Sequence, residues 1–144
     1  MISRILDVAN VNLATEKYEV LNVHNVSDEE MLRLNPYAMV IGGAYQNNLI
    51  NTLNNSPVWS NLTCVKENKV YRIPVAMVGI ENVSAETPVM LKYVASLFNS
   101  KYEFDMDAEL KSNIKKYFNY DLSSSDVINM CNGLNKNGER MVNA

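Results

Sequence analysis

Apolar and polar positions along the 144-residue chain fall into two kinds of pattern, and their order predicts the architecture. Ile2, Ile5, Leu6, Ala9 and Leu13 recur at helical spacing, so 2–11 is expected to be a helix with one buried face. Lys17 to Val23 places Tyr18, Val20 and Asn22 at alternate positions, the mark of a short strand or extended connection. Ser27 followed by Glu30 gives a capping box for a short helix with Met31, Leu32 and Leu34 on its apolar side. Asn35-Pro36 ends it, because proline disfavours helical geometry in the preceding residue. The run Ala38 to Ile41 between a proline and two glycines suits a strand buried on both faces, as in a parallel sheet. A helix at 47–53 with Leu49, Ile50 and Leu53 inward ends at Asn54-Asn55-Ser56-Pro57, and Val70 to Ile73 is a second strand.

The last third reads as helices throughout. One starts at Ser84 or Thr87 with Pro88 in its first turn and a core stripe of Met90, Leu91, Val94, Leu97 and Phe98. Asp107 to Phe118 buries Leu110, Ile114, Tyr117 and Phe118, and Ser123 to Met130 turns Val127, Ile128 and Cys131 inward before Gly133. Strands alternating with helices predict an α/β fold: a small, mainly parallel sheet flanked by helices. Residues 1–134 are expected to form this single unit, and 135–144 a polar, flexible tail.

Composition narrows the function by exclusion. A net charge of -3 gives no basic surface for nucleic acid, and Lys115-Lys116 reads as a solvated helix face. Cys64 and Cys131 share no metal or redox spacing and read as small buried hydrophobes. With His24 as its one histidine, the chain is not expected to bind zinc, and no intrinsic cofactor is expected. The N-terminal stretch interrupts its apolar part with Asp7 and asparagines, so it does not read as a signal peptide. Gly42-Gly43 lacks the third glycine of a dinucleotide loop, and neither a nucleophile elbow nor a P-loop occurs, so an enzyme is not expected. Asp28, Glu29 and Glu30 read as carboxylates favoured by a helix N-terminus.

Open α/β sheets bind ligands at the carboxyl ends of their strands. The loops there are Gly42 to Asn47 and Val75 to Ile80. They offer Tyr45, Gln46, Asn47 and Met77: an aromatic face, amide groups and a soft apolar contact, a set suited to a bulky amphipathic ligand. The structural alternative has Tyr45 covering the sheet edge and Met77 filling core.

The segments EEML, NPYAMVI and WSNLTCVKENKVYRIP occur in that order, followed by GIENVSAETPVMLKYVASLF and KYFNYDLSSSDVINMCNG, with ANVNLA ahead of them. Together they resemble the C-terminal lobe of the two-lobe (class III) substrate-binding proteins of iron-siderophore, haem and cobalamin ABC importers, over Ala9 to Gly133. Tyr37 departs from that family's usual Asp, Cys64 from its Ala, and the loop after Pro74 lacks a tryptophan often found there. The resemblance implies non-covalent capture of a ferric siderophore, haem or corrinoid at Tyr45, Gln46, Asn47 and Met77, and delivery to a permease. It implies that Glu81 docks on the permease, with Glu86 as a competing assignment, and that Trp59 anchors its turn with Leu62. An N-terminal lobe, an ABC permease subunit and an extracytoplasmic location, as a periplasmic protein or anchored lipoprotein, are implied likewise. The alternative is a stand-alone α/β interaction domain without a transport ligand, a homodimer through the exposed cleft face.

Overall fold

The computed structural model describes residues 7–14, 26–76 and 83–141. Most of the N-terminal helix, the extended stretch at 17–23, His24, Met77 and Glu81 lie outside the described residues.

Helix α1 spans Asp28–Leu34, and its start is set by a complete capping box. The Ser27 hydroxyl accepts from the Glu30 amide at 3.2 Å, and the Glu30 carboxylate accepts from the Ser27 amide at 3.0 Å. Asn35 ends the helix in the left-handed conformation, φ 33°, with its amide on the Met31 carbonyl, and Pro36 prevents resumption.

Strand β1 (Met39–Ile41) pairs in parallel with β2 (Val70–Arg72), Met39 opposite Val70 and Ile41 opposite Arg72. Between them run α2 (Gln46–Asn55), a 3₁₀ turn at Trp59–Asn61 and the short α3 (Thr63–Lys66). After β2 come α4 (Thr87–Phe98), α5 (Met106–Phe118) and α6 (Ser124–Cys131). This is the expected α/β arrangement with a small parallel sheet.

Strand alternation distributes the side chains to two helical layers. Val40 packs on the main core of Ile73, Val89, Met90, Val94, Leu110 and Val127, supplied by β2's end and α4 to α6. Tyr71, opposite Val40, meets the Phe98 ring edge-on at 6.3 Å. Met39 and Ile41 instead line a groove with Met31, Leu49, Leu53 and Trp59, from the α1 to α3 side. Each of these core side chains is worth about 1.5–3 kcal/mol of burial.

Several expected burial assignments are corrected. All three residues of β1 are only partly covered, because among the described residues the sheet has two strands. Leu32, Leu49 and Ile128 are exposed; α2 buries Leu53, and α6 buries Val127, a turn of about 100° away from Ile128. The seam of α5 stops at Leu110, Asn113 and Ile114, so Tyr117 and Phe118 in its last turn stand in solvent. Val89, absent from the expected stripe of α4, is buried, whereas Leu91 and Leu97 are half-buried. Asn113 sits on the apolar seam because its amide donates to the Ala85 carbonyl at 2.9 Å, tying α5 to the approach to α4.

Within the stretch 135–144, expected as a flexible tail, the first residues form a turn that follows Leu134. Leu134 bridges Arg140 in antiparallel fashion, and the Asn135 side-chain oxygen accepts from the amides of Asn137 and Glu139. Gly138 supplies the positive φ, 79°, that closes this turn.

Candidate functional site

The carboxyl ends of β1 and β2 converge on the first turn of α2. Gly43 carries the chain out of β1 at φ 83°, a conformation that costs a side-chain-bearing residue. Tyr45 then occupies the N-cap position of α2 without capping it, so its ring is free to leave the surface, 61% exposed.

The next two residues turn inward. Gln46 is fully buried, and its amide donates to the Ile73 carbonyl at 3.1 Å. Its Oε1 has no hydrogen-bond partner among the described residues. The side chain lies directly over Gly133, where an added Cβ would come within 2.6 Å of the Gln46 Cδ. Gly133 also has φ +65°, so glycine is required there twice over. Asn47 donates to the carbonyls of Asn132 and Gly133 at 3.2 and 3.1 Å and accepts from Arg72 Nη1 at 2.7 Å. Arg72 donates onward to the Asn132 carbonyl at 3.2 Å, placing a cation at the C-terminal end of α6, where the helix dipole favours one. Desolvation pushes the Arg72 guanidinium below its ordinary value.

Two further bonds complete the clamp. The Tyr93 hydroxyl donates to the Arg72 carbonyl at 2.8 Å, and burial pushes that phenol up to about 12. The Val75 amide donates to the Met130 carbonyl at 2.9 Å. Beyond it, Val75 and Ala76 border a cavity of about 360 Å³ with Tyr120, Leu122, Asn129 and Met130.

The structure thus brings Tyr45, Gln46 and Asn47 together at the carboxyl end of the sheet and gives them different surroundings. Gln46 fastens the loop to the end of β2 and Asn47 fastens it to the end of α6, and Tyr45 stands outward from the fastened loop. Arg72, Asn132 and Gly133 are partners that sequence reasoning missed. The arginine inside an otherwise apolar VYRIP strand was the available signal, because a strand arginine needs acceptors nearby.

Glu86 is fully buried at the N-cap of α4, and neither carboxylate oxygen has a hydrogen-bond partner among the described residues. Enclosed in this way it presents nothing to a docking protein. Trp59 donates its indole N–H to the Asp28 carboxylate, and Leu62 is buried beside it, so this turn is pinned to α1. Cys64 and Cys131 are free thiols, each pushed above its ordinary pKa chiefly by burial. Among the described residues no group of three or more His, Cys, Asp or Glu could hold a metal, and no helix is long and apolar enough to cross a membrane.

Comparison with known structures places this architecture. The chain has the fold of part of an ABC solute-binding protein. It is similar to a periplasmic solute-binding protein from Veillonella parvula, at 21% identity and a TM-score of 0.71, over 90% of this chain and 40% of that one. It is also similar to an ABC transporter solute-binding protein from Sulfurospirillum deleyianum, at 20% identity and a TM-score of 0.72, over 89% of this chain and 40% of that one. The chain therefore spans about 40% of the length of the solved proteins it matches. No family model and no curated protein sequence matches it.

Proposed function

We propose that the chain is one lobe of the substrate-binding component of an ABC importer, working outside the cytoplasm to capture a solute and hand it to a permease subunit. The ligand class is a ferric siderophore, haem or corrinoid. The observation that carries this reading is Tyr45: an aromatic side chain 61% exposed on a loop fastened at the carboxyl ends of the strands, in a fold shared with solute-binding proteins. Fixing the loop through Gln46 and Asn47 preorganises the ring, which lowers the entropy lost when a flat ligand stacks on it. Met77 adds an apolar contact to the same ligand, and Glu81 docks on the permease. An isolated docking charge adds little affinity but sets orientation and on-rate.

A binding site normally buries most of its ligand, and one lobe supplies one face. Binding by this chain alone is therefore weak, with Kd well above micromolar. Titration with haemin, cyanocobalamin and gallium-loaded desferrioxamine, followed by amide shifts at 43–47, tests the reading. Saturable shifts from one of the three, lost in Tyr45→Ala, are the expected result. Unaltered amides with all three would overturn it.

A further inference from the structure

We propose that Arg72 sets the charge of the captured solute: its guanidinium selects a chelate carrying anionic oxygens, carboxylate or catecholate, over neutral and cationic ones. This rests on the reading of Tyr45 and its loop as one face of a solute site, and it names the class of solute which that face accepts.

Strand register and loop bonding put the cation at that face. Arg72 is the last residue of β2 and pairs with Ile41, the last of β1, so it stands at the carboxyl end of the sheet. Its Nη1 donates to the Asn47 side-chain oxygen at 2.7 Å and to the Asn132 carbonyl at 3.2 Å. Asn47 lies two residues after Tyr45, so their Cα atoms are at most about 7.6 Å apart. Arg72 is partly exposed, and both of its bonds run through one nitrogen of three. Among the described residues the Nη2 and Nε donors have no partner, which leaves an edge of the planar fork for a pair of anionic oxygens.

The charge is uncompensated as well. Lys69, Lys92, Lys111 and Lys115 each pair with a carboxylate at 2.6 to 2.7 Å, whereas among the described residues Arg72 pairs with none. The three stretches that meet here, 42–48, 70–76 and 129–135, contain no Asp or Glu, in a chain whose net charge is -3. The end of α6 offsets about half an elementary charge, and the start of α2 returns about as much. Asn47 and the Asn132 carbonyl are neutral partners, so they hold the guanidinium in place without cancelling it. Its field reaches about 8 Å at physiological ionic strength, far enough to act on a bulky solute stacked at Tyr45. An anionic chelate there gains a charge-assisted bond, and a cationic one meets repulsion.

A charge ladder on one chelate tests this. Gallium-loaded desferrioxamine B is cationic through its free amine, neutral when that amine is acetylated and anionic when it is succinylated. Each form is titrated into the 144-residue chain, followed by the 43–47 amides and the Arg72 Nε–H signal. The expected result is a Kd about three- to tenfold lower for the succinylated form than for the acetylated one, and weakest binding by the free amine. The preference should shrink in about 0.5 M salt, and the Nε–H signal should move with the succinylated form. These readings are made on the unaltered chain and need no variant to fold. Arg72→Gln is expected to bind all three forms within about twofold of one another, and Arg72→Lys, which keeps the charge without the fork, to retain part of the preference. Equal affinities along the ladder, a ladder unchanged in Arg72→Gln, or an Nε–H signal that ignores every chelate and shifts instead in Glu81→Gln would each overturn the proposal. A flat ladder with the 43–47 amides still moving removes the charge assignment alone. Amides fixed with every form remove the solute site, and this proposal with it.

Discussion

Replacing Gly133 by alanine is the sharpest test of the clamp behind Tyr45. Two costs combine. A side chain at φ +65° brings about 1–2 kcal/mol of left-handed strain. The new Cβ also meets three Gln46 side-chain atoms at 2.6 to 2.8 Å. Gln46 has little freedom to yield, being fully buried and bonded to the Ile73 carbonyl, so overpacking adds about 1–3 kcal/mol. Gly133→Ala should therefore lower the unfolding free energy by about 2–5 kcal/mol, measured by urea denaturation followed by circular dichroism. Gln46→Ala alone costs about 1–3 kcal/mol by stranding the Ile73 carbonyl, but it also removes every atom the new Cβ strikes. The double variant should consequently lose less than the sum of the singles, with a coupling of about 1–3 kcal/mol. Additivity within about 0.5 kcal/mol would refute the packing of Gln46 over Gly133 and the fastening of the loop argued from it.

Two further expectations concern buried groups. Tyr93 is held neutral by burial, with its folded pKa raised from 10.0 to about 12, so its contribution is complete below pH 10 and lost as pH rises towards 12. Urea midpoints between pH 8 and 11.5 should fall more steeply in the natural chain than in Tyr93→Phe, and parallel profiles would contradict this. Glu86→Met replaces an enclosed carboxylate, unpartnered among the described residues, by an apolar group of similar length and should raise stability by about 1–3 kcal/mol. A lowered thermal midpoint would mean that the carboxylate holds a partner in solution.

Local signals were read well where one short-range rule governs them. The Ser27–Glu30 capping box, the stop at Asn35-Pro36 and the proline-led start of α4 each depend on neighbouring residues alone. The α/β order followed because the apolar runs at 38–41 and 70–73 are too short for helices. Burial was less legible where helical periodicity continues past the packing surface, as at Tyr117, Phe118 and Ile128. The site was half legible. Placing it at the carboxyl ends of the strands drew attention to Tyr45, Gln46 and Asn47, but their division of labour depends on Arg72, Asn132 and Gly133, up to 86 residues away. No local pattern announces that a glutamine beside an exposed tyrosine will pack over a glycine at the other end of the chain.

The central claim is that the fastened loop at the carboxyl end of β1 presents Tyr45 as one face of a solute site. Its most direct test is a set of ¹⁵N–¹H spectra of the chain recorded with increasing haemin, cyanocobalamin or gallium-loaded desferrioxamine. The predicted result is saturable movement of the 43–47 amides with one ligand, a Kd well above micromolar, and loss of that movement in Tyr45→Ala. Spectra in which these amides stay fixed at ligand saturation limits, or move identically in Tyr45→Ala, would contradict it.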